Sequence, residues 1–423
     1  MGTSTLRFAT VGSVDDGKST LIGRLLLDSK AIFDDQLEHI TDVSRRRGSD
    51  YTDLALLSDG LRAEREQGIT IDIAHRYFAT PRRSFVIADC PGHVQYTRNM
   101  VTGASNVDLA VVLVDVRHGV VEQTRRHTVL VSLLGVPHLV ICVNKMDLVG
   151  WSEPAFQRVI EEFTEFAAKL ELRDVTFIPI SALSGDNVVE RSPNTPWFGG
   201  ASLLHHLETV YTASDDNLID TRFPVQYVIR PHTHEHRDFR GYAGTVAGGV
   251  LRVGDAVTVL PSGMPATIAA IDTFSGPVQL APHGTAAVVT LAEQVDVSRG
   301  DMLCRPNNQP HATQELEAMV CWLDDRAPLR PRGMYTLKHT TRSVRAMVTE
   351  LRYELDITTL HRNTDATSIA MNGIARVALR TTEPVFVDDY HRNRSTGSFV
   401  LVDEQTNATA AAGMVIARNR GLA

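Results

Sequence analysis

The sequence predicts an α/β phosphate-loop domain with a mainly parallel sheet, followed by two small β-barrel domains, over residues 1–213, 214–308 and 309–423. Three observations carry this. Gly12-Ser13-Val14-Asp15-Asp16-Gly17-Lys18-Ser19-Thr20 matches G-x-x-x-x-G-K-[ST] between an apolar run and a helix-like run. The N-terminal half alternates aliphatic runs with amphipathic stretches, the pattern of βα units around a parallel sheet. After Leu218 the pattern turns to short β-rich runs separated by glycine-containing turns, as in small barrels.

The first strand, Leu6–Val11, is followed by the phosphate loop and a helix over Lys18–Leu27. Further strands are expected at Ser84–Ala88, Leu109–Val114, His138–Val143 and Val175–Ile180, nearly continuous aliphatic runs suited to burial on both faces. A helix after Pro154 carries Phe156, Val159, Ile160, Phe163, Ala167 and Leu170 at core spacing. Val210–Leu218 reads as a linker. The first barrel is expected from Phe223–Ile229, Gly241–Val246, Ala256–Leu260, Ala266–Ile271, Ala286–Leu291 and Asp301–Cys304. After a boundary at Asn307–His311, the second is expected from Leu316–Leu323, Arg345–Tyr353, Gly373–Leu379 and Ser398–Val402.

At 423 residues, 43% hydrophobic and 22% charged, the composition is that of a folded multidomain protein. No apolar run approaches the ~20 residues of a membrane span, and no secretion signal is read at the N-terminus. Cys90, Cys142, Cys304 and Cys321 are widely separated, without metal-ligand spacing or a disulfide framework. A cytoplasmic location and no membrane partner are expected. The net charge of −8 makes no electrostatic case for nucleic acid. Of 42 basic Lys and Arg residues only five are lysine, so each lysine retained against that bias draws attention.

In the loop, glycines let backbone N–H groups turn around phosphate oxygens, and the helix N-terminus adds partial positive charge. Lys18 should reach the β- and γ-phosphates and the Ser19 hydroxyl Mg²⁺. Asp89-Cys90-Pro91-Gly92-His93 follows a strand; its Asp can hold the Mg²⁺ shell through water and the Gly92 N–H can sense a γ-phosphate. In Asn144-Lys145-Met146-Asp147 the carboxylate can accept two hydrogen bonds from guanine N1–H and the 2-amino group, an arrangement adenine lacks. The Lys145 stem can cover the base, and the backbone of Ser181-Ala182-Leu183 could contact guanine O6. Together these make the first domain an α/β P-loop GTPase domain. Between loop and Asp89, the segment Asp59–Thr70 is placed to be a switch, with Thr70 supplying a second hydroxyl to Mg²⁺. Arg62–Glu66 within it reads equally as a solvated helix.

These motifs resemble the translation-factor class of GTPases, whose features include Gln67-Gly68-Ile69-Thr70 and a His directly after Asp-x-Pro-Gly, here His93. Within that class the chain is similar to the large, GTP-hydrolysing subunit of bacterial sulfate adenylyltransferase (ATP sulfurylase). The likeness runs through the loop from Gly12 to Leu26, Tyr51–Leu57, Asp59–Thr70, Gln95–Ser105, Asn144–Asp147, Pro224–Pro231 and Arg299–Met302. It implies a Mg²⁺-dependent GTPase coupled to a small partner subunit that makes adenosine 5′-phosphosulfate and pyrophosphate from ATP and sulfate. It implies that Gly12, Ser13, Val14, Asp15, Asp16, Gly17, Lys18, Ser19 and Thr20 cradle the phosphates, and that Asp89, Cys90, Pro91, Gly92 and His93 face them. Asn144, Lys145, Met146, Asp147, Ser181, Ala182 and Leu183 would bind guanine, and Ser19, Thr70 and Asp89 would hold the metal. His93, with Lys18 and Thr70, would be catalytic, positioning or polarising the attacking water; the alternative for His93 is an exposed histidine at a helix start. Cys90 stands where Thr or another small residue is common, and Asp16 adds a carboxylate near the phosphates.

Some relatives carry a fused kinase for adenosine phosphosulfate; no second phosphate loop follows here, either naturally or by truncation, and an adenylyl-sulfate kinase is one candidate partner. His232, His234 and His236 could form a metal site or a polar turn, and Arg342, Arg345 and Arg352 a basic face or ordinary solvated arginines. Rival readings of the whole chain are an elongation-type GTPase delivering aminoacyl-tRNA and a signalling switch. The Ser13 and Asp16 loop and the Tyr51–Leu57 stretch favour sulfate activation.

Overall fold

The computed structural model describes residues 5–30, 72–212, 217–231 and 239–416, with Glu38, Ile40, Thr41, Ser44, Thr52, Leu54 and Thr70. Asp59–Ile69, His232, His234, His236 and all of Tyr51–Leu57 except Thr52 and Leu54 lie outside the described residues. The chain divides into two compact units, residues 1–212 with 357–360, and residues 213–356 with 361–423.

The first unit is built on a six-stranded sheet. Its strands are β1 (Thr5–Gly12), β2 (Ala74–Ala79), β3 (Ser84–Asp89), β4 (Leu109–Asp115), β5 (His138–Asn144) and β6 (Asp174–Pro179), in the order β2-β3-β1-β4-β5-β6. All neighbours are parallel except β2 and β3. Every residue of β4 is buried, as its unbroken Leu-Ala-Val-Val-Leu-Val run requires. The register sets Thr10 beside Asp89, and Asp115 beside Asn144. The ends of β1, β3, β4 and β5 therefore meet along the carboxyl edge of the sheet, where ligands bind in open α/β folds.

The helices that the described residues define in full are α1 (Lys18–Asp28), α2 (Thr97–Ala104), α3 (Glu122–Leu133), α4 (Glu153–Ala167) and α5 (Leu203–Thr209). Leu21, Ile22 and Leu25 of α1 share one core with Phe8 of β1, Phe85 and Ile87 of β3, Val111 of β4 and Val140 of β5. Phe78 stacks on Phe85 with centroids 4.5 Å apart. Each fully buried side chain of this size contributes roughly 1.5–3 kcal/mol. Ser152 caps α4, accepting from the Ala155 N–H at 3.3 Å, with Pro154 in the first turn. Phe156, Val159 and Phe163 are buried as expected, but α4 ends at Ala167, so Leu170 lies beyond it in a turn.

Two departures have simple causes. The edge strand β2 was absent from the expected strands because only Phe78 of Ala-His-Arg-Tyr-Phe-Ala is buried, leaving no aliphatic run. The last strand spans Asp174–Pro179, not Val175–Ile180, because proline can occupy a sheet edge; Ile180 still donates to the Val143 carbonyl at 2.8 Å. Buried Arg83, in the β2–β3 turn, donates to the carbonyls of Leu207 (3.1 Å) and Val210 (2.8 Å) and to Thr212 Oγ1 (3.0 Å), satisfying the end of α5.

The second unit holds two seven-stranded antiparallel sheets, each closed on itself. In the first, Ala256–Leu260 pairs with both Met302–Cys304 and Met264–Thr273; in the second, Met334–His339 pairs with both Ser398–Val402 and Arg342–Leu355. Register shifts at Val225/Tyr227 and Ile268/Ala270 supply bulges that bend the first sheet. Met334–His339 and Thr409–Val415 are additional strands, the latter Ala-rich and so without a β-branched signature. Arg342, Arg345 and Arg352 each pair with a carboxylate, Glu383, Glu404 and Glu350 respectively, so this face is neutralised rather than basic.

A buried ion pair joins the two barrels. Arg222 is 1% exposed, and its Nε and Nη2 donate to Asp388 Oδ2 and Oδ1 at 2.8 and 2.9 Å. Thr396 Oγ1 donates to the same carboxylate at 2.6 Å, and Arg222 Nη1 reaches the Asn308 carbonyl at 2.7 Å. Both charges of this fork are buried, so removing one strands the other. Asp388→Ala is expected to destabilise the second unit by about 3–5 kcal/mol, read as a lower denaturant midpoint in urea unfolding followed by circular dichroism. An unshifted midpoint would show that water enters and offsets the lost partner.

Candidate functional site

The phosphate loop leaves β1 at Gly12 and turns through left-handed backbone at Asp15 (φ 66°) and Gly17 (φ 96°) before α1 begins at Lys18. A Cβ on Gly17 would meet Asn144 Nδ2 at 2.5 Å, so glycine is required there for space as well as for φ. Lys18 is buried, and its Nζ donates to the carbonyls of Gly12 (3.0 Å) and Ser13 (2.7 Å). Burial lowers its pKa, opposed by the carboxylates of Asp89 and Asp16. The Ser13 N–H donates to Asp16 Oδ2 at 2.6 Å. Burial raises the Asp16 pKa, with Lys18 the chief opposing charge. The carboxylate thus braces the loop from inside and balances its lysine.

On the other side, Asn144 ends β5. Its Nδ2 donates to the Asp16 carbonyl at 2.7 Å, and its Oδ1 accepts from the Ala182 N–H at 2.9 Å. Lys145, also left-handed at φ 64°, reaches the Asp15 carbonyl at 2.5 Å and Asp115 Oδ2 at 2.9 Å. Burial pushes the Asp115 carboxyl up, but hydrogen bonds from Arg117 and Lys145 outweigh it and hold it well below the usual carboxylate range. Arg24 of α1 donates to the carbonyls of Ala182 and Leu183, holding the Ser181–Leu183 loop against the first helix.

At the end of β3, Asp89 is buried and accepts from Thr10 Oγ1 at 3.2 Å. Gly92 sits so close to the phosphate loop that a Cβ would meet Lys18 Nζ at 2.5 Å and the Gly12 carbonyl at 2.7 Å. His93 is half-exposed and accepts from the Gln95 N–H through Nδ1 at 3.3 Å.

A cleft of about 390 Å³ opens over these elements. It brings together Val14, Asp15, Gly17, Lys18, Ser19 and Thr20 from the loop, Thr70, Gly92 and His93, and Asn144, Lys145, Asp147, Ser181, Ala182 and Leu183. Gly12, Ser13 and Asp16 belong to the loop but do not line the cleft, and Asp89, Cys90, Pro91 and Met146 are buried and do not line it. The Cys90 thiol packs where a Cβ on Gly103 would meet its sulfur at 2.7 Å, and burial pushes its pKa up. Leu54, from the Tyr51–Leu57 stretch, and Leu148, which no motif announces, also line the cleft. Leu148, 57% exposed beside Asp147, is an apolar side chain left open at a polar turn. Asp115 ends an aliphatic strand as Asp89 does, a signal that could have singled it out.

Helix α3 contributes a polar pair. Gln123 Nε2 donates to the Gly92 carbonyl at 3.0 Å and lies 3.4 Å from His127 Nε2. His127 is 1% exposed; burial, then the charges of Lys18 and Arg126, push its pKa down to about 3. An unfolded histidine titrates near 6.5, so between about 6.5 and about 3 the unfolded chain binds a proton that the folded chain refuses. This contribution to stability is complete above the upper value and is lost as pH falls toward the lower one. His127→Asn is therefore expected to unfold with a flatter pH dependence than wild type across that window, measured as urea midpoints from pH 7 to about pH 4. Parallel curves would show that His127 is protonated in the fold.

Comparison with known proteins places this geometry. The elongation factor Tu GTP-binding domain matches residues 3–223, and the C-terminal-domain-like family of GTP-eEF1A matches residues 315–416. The chain is 61% identical over 414 residues to the bifunctional enzyme CysN/CysC of Mycobacterium tuberculosis (strain CDC 1551 / Oshkosh), covering 98% of this chain and 67% of that protein. It is 51% identical over 415 residues to sulfate adenylyltransferase subunit 1 of Bacteroides fragilis (strain YCH46), covering 98% and 86%. To the subunit of the same name from Alteromonas mediterranea it is 50% identical over 413 residues, covering 97% and 86%. The α/β domain on a mainly parallel sheet and the closed barrels after it agree with these matches. The chain belongs to the sulfate adenylyltransferase subunit 1 family, within the GTPases built on the elongation factor Tu GTP-binding domain.

Proposed function

We propose that this chain binds GTP with Mg²⁺ and hydrolyses it as the GTPase subunit of a sulfate adenylyltransferase. A small partner subunit, holding the ATP and sulfate site, makes adenosine 5′-phosphosulfate and pyrophosphate, and GTP hydrolysis drives that reaction forward. The observation that carries this is the convergence on one cleft of Lys18 and Ser19, of Thr70, Gly92 and His93, and of Asn144 and Asp147. The names of the relatives, at 50–61% identity, support the sulfate branch over delivery of aminoacyl-tRNA.

In this reading the domains are a GTP-binding domain over 1–213 and barrels over 214–308 and 309–423. Loop N–H groups from Val14 to Thr20 and the Lys18 ammonium hold the phosphates, and the Gly92 N–H reads the terminal one. Asp147 accepts from guanine while Lys145, pinned to the Asp15 carbonyl and Asp115, lays its stem along the base. His93 at the cleft wall positions the attacking water. The donor set fits Mg²⁺: Ser19 and Thr70 line the cleft and the buried Asp89 ends β3, and all three offer hard oxygens. Bound there, Mg²⁺ supplies neutralisation of the phosphate charge. An adenylyl-sulfate kinase is a further partner and the compartment is the cytoplasm. No helix among the described residues is long and apolar enough to cross a membrane.

Formation of a phosphate–sulfate anhydride is uphill, so the two sites must share conformational states that each nucleotide favours differently. GTP hydrolysis by the chain is expected to rise when the small subunit, ATP and sulfate are all present, measured as phosphate release. No stimulation, together with tight binding of aminoacyl-tRNA, would refute the sulfate reading. Asp147→Asn exchanges an acceptor for a donor. GTP affinity is expected to fall by at least about tenfold, as loss of charged hydrogen bonds predicts, while xanthosine triphosphate affinity rises; unchanged selectivity for GTP in a competition assay would argue against the base contact.

A further inference from the structure

The Gly92–His93 peptide is held from two sides by different elements. On one side Gly92 abuts the phosphate loop, where even a methyl group would collide with Lys18 Nζ. On the other, its carbonyl accepts the Gln123 amide of α3 at 3.0 Å. This contact fixes the orientation of the glutamine: its oxygen turned toward Gly92 would set two acceptors against each other. The other N–H of the same amide then points at His127 Nε2, 3.4 Å away. An amide nitrogen accepts no hydrogen bond, so His127 presents the Nε2 lone pair and carries its proton on Nδ1. That Nδ1 is buried and has no hydrogen-bond partner among the described residues. Leaving a buried donor unmet costs free energy, and such exceptions in a fold call for a reason.

We infer that Gln123 is a positioning residue for hydrolysis, with His127 as its backstop: it fixes the plane of the peptide that carries His93 into the cleft. In hydrolysis a water oxygen bonds to the γ-phosphorus, the bond from that phosphorus to the β–γ bridging oxygen breaks, and the protons of the water pass to the released phosphate. Such an attack is sensitive to the placement of the group that orients the water, where a shift of about 1 Å costs up to a hundredfold. The Gln123 amide engages the Gly92 carbonyl and His127, neither of them a base, metal or phosphate contact, because the N–H proposed to read the terminal phosphate belongs to the preceding Pro91–Gly92 peptide, so its effect falls on the chemical step and not on nucleotide affinity. The orientation of the Gly92 carbonyl governs where the His93 ring emerges, because that carbonyl and the His93 N–H share one rigid plane. This inference rests on the GTPase reading above.

The test compares wild type with Gln123→Glu and Gln123→Met, both close to glutamine in size and both lacking the N–H donor at neutral pH. Single-turnover GTP hydrolysis is measured alongside GTP and GDP affinities, with circular dichroism confirming the fold. Hydrolysis is expected to drop at least about tenfold, with both affinities within about twofold of wild type. Wild-type hydrolysis in both variants overturns the inference. So does an equal loss of GTP and GDP affinity, which makes Gln123 a support of the site as a whole. A wild-type chain that binds no GTP overturns the parent reading instead, which keeps the two failures apart.

Discussion

The site depends on the side chain of Asn144. It is 3% exposed at the end of a strand buried on both faces, so its amide must find partners within the protein. It finds the Asp16 carbonyl of the phosphate loop and the Ala182 N–H of the loop after β6. Three segments far apart in the chain thereby acquire a common reference. The contact also explains the second glycine of the loop, since any side chain at position 17 would fall on the Asn144 amide nitrogen. Losing one of these bonds leaves a buried polar group unmet, at a cost of about 1–3 kcal/mol. The same loss frees the phosphate loop from the segment proposed to hold the base.

Charge is distributed around that reference so that neither lysine of the site lacks a counter-charge. Lys18 lies among Asp89 and Asp16, and Lys145 beside Asp115. Lys18 nevertheless spends its hydrogen bonds on the Gly12 and Ser13 carbonyls, so the ammonium is held in place by neutral acceptors and keeps its charge for an arriving anion. Asp115 is shared between Arg117 and Lys145, which keeps it ionised far into acid. A site assembled this way needs little rearrangement of its own charges when a polyanion arrives, which is the condition for strong electrostatic stabilisation.

Much of this was legible from residue types alone, and the limits have physical causes. β1, β3, β4 and β5 were visible because burial on both faces demands unbroken aliphatic runs. β2 was invisible because an edge strand can be mostly polar, and Thr409–Val415 because alanines carry no strand preference. The loop glycines, Lys18, Asn144 and Asp147 announced themselves through spacing. Gln123, His127 and Asp115 did not, because they act through the backbone or through another side chain and belong to no short motif. Arg345 read either as part of a binding face or as an ordinary solvated arginine, and charge alone could not decide, because its partner Glu404, which accepts from Nε and Nη2, is remote in sequence.

The phosphate lysine and the strand-end loop that bears His93 cannot be treated as independent parts. Gly92 approaches Lys18 Nζ and the Gly12 carbonyl too closely for any Cβ, so a displacement of that loop toward the phosphate loop is blocked by contact. A displacement away from it must lengthen or break the bond from Gln123, anchored on a helix whose inner face is packed. Movement is left to the Pro91–Gly92 peptide, which Gln123 does not hold and which can turn about a glycine with no side-chain bulk and no fixed φ preference. A γ-phosphate and its absence can differ in their demand on a peptide N–H by one charged hydrogen bond, about 1.5–3 kcal/mol. That is enough to shift a two-state equilibrium roughly tenfold to a hundredfold. In the GTPase reading proposed above, the γ-phosphate would act on the peptide before Gly92 while Gln123 grips the one after it, so a single glycine links the nucleotide to α3.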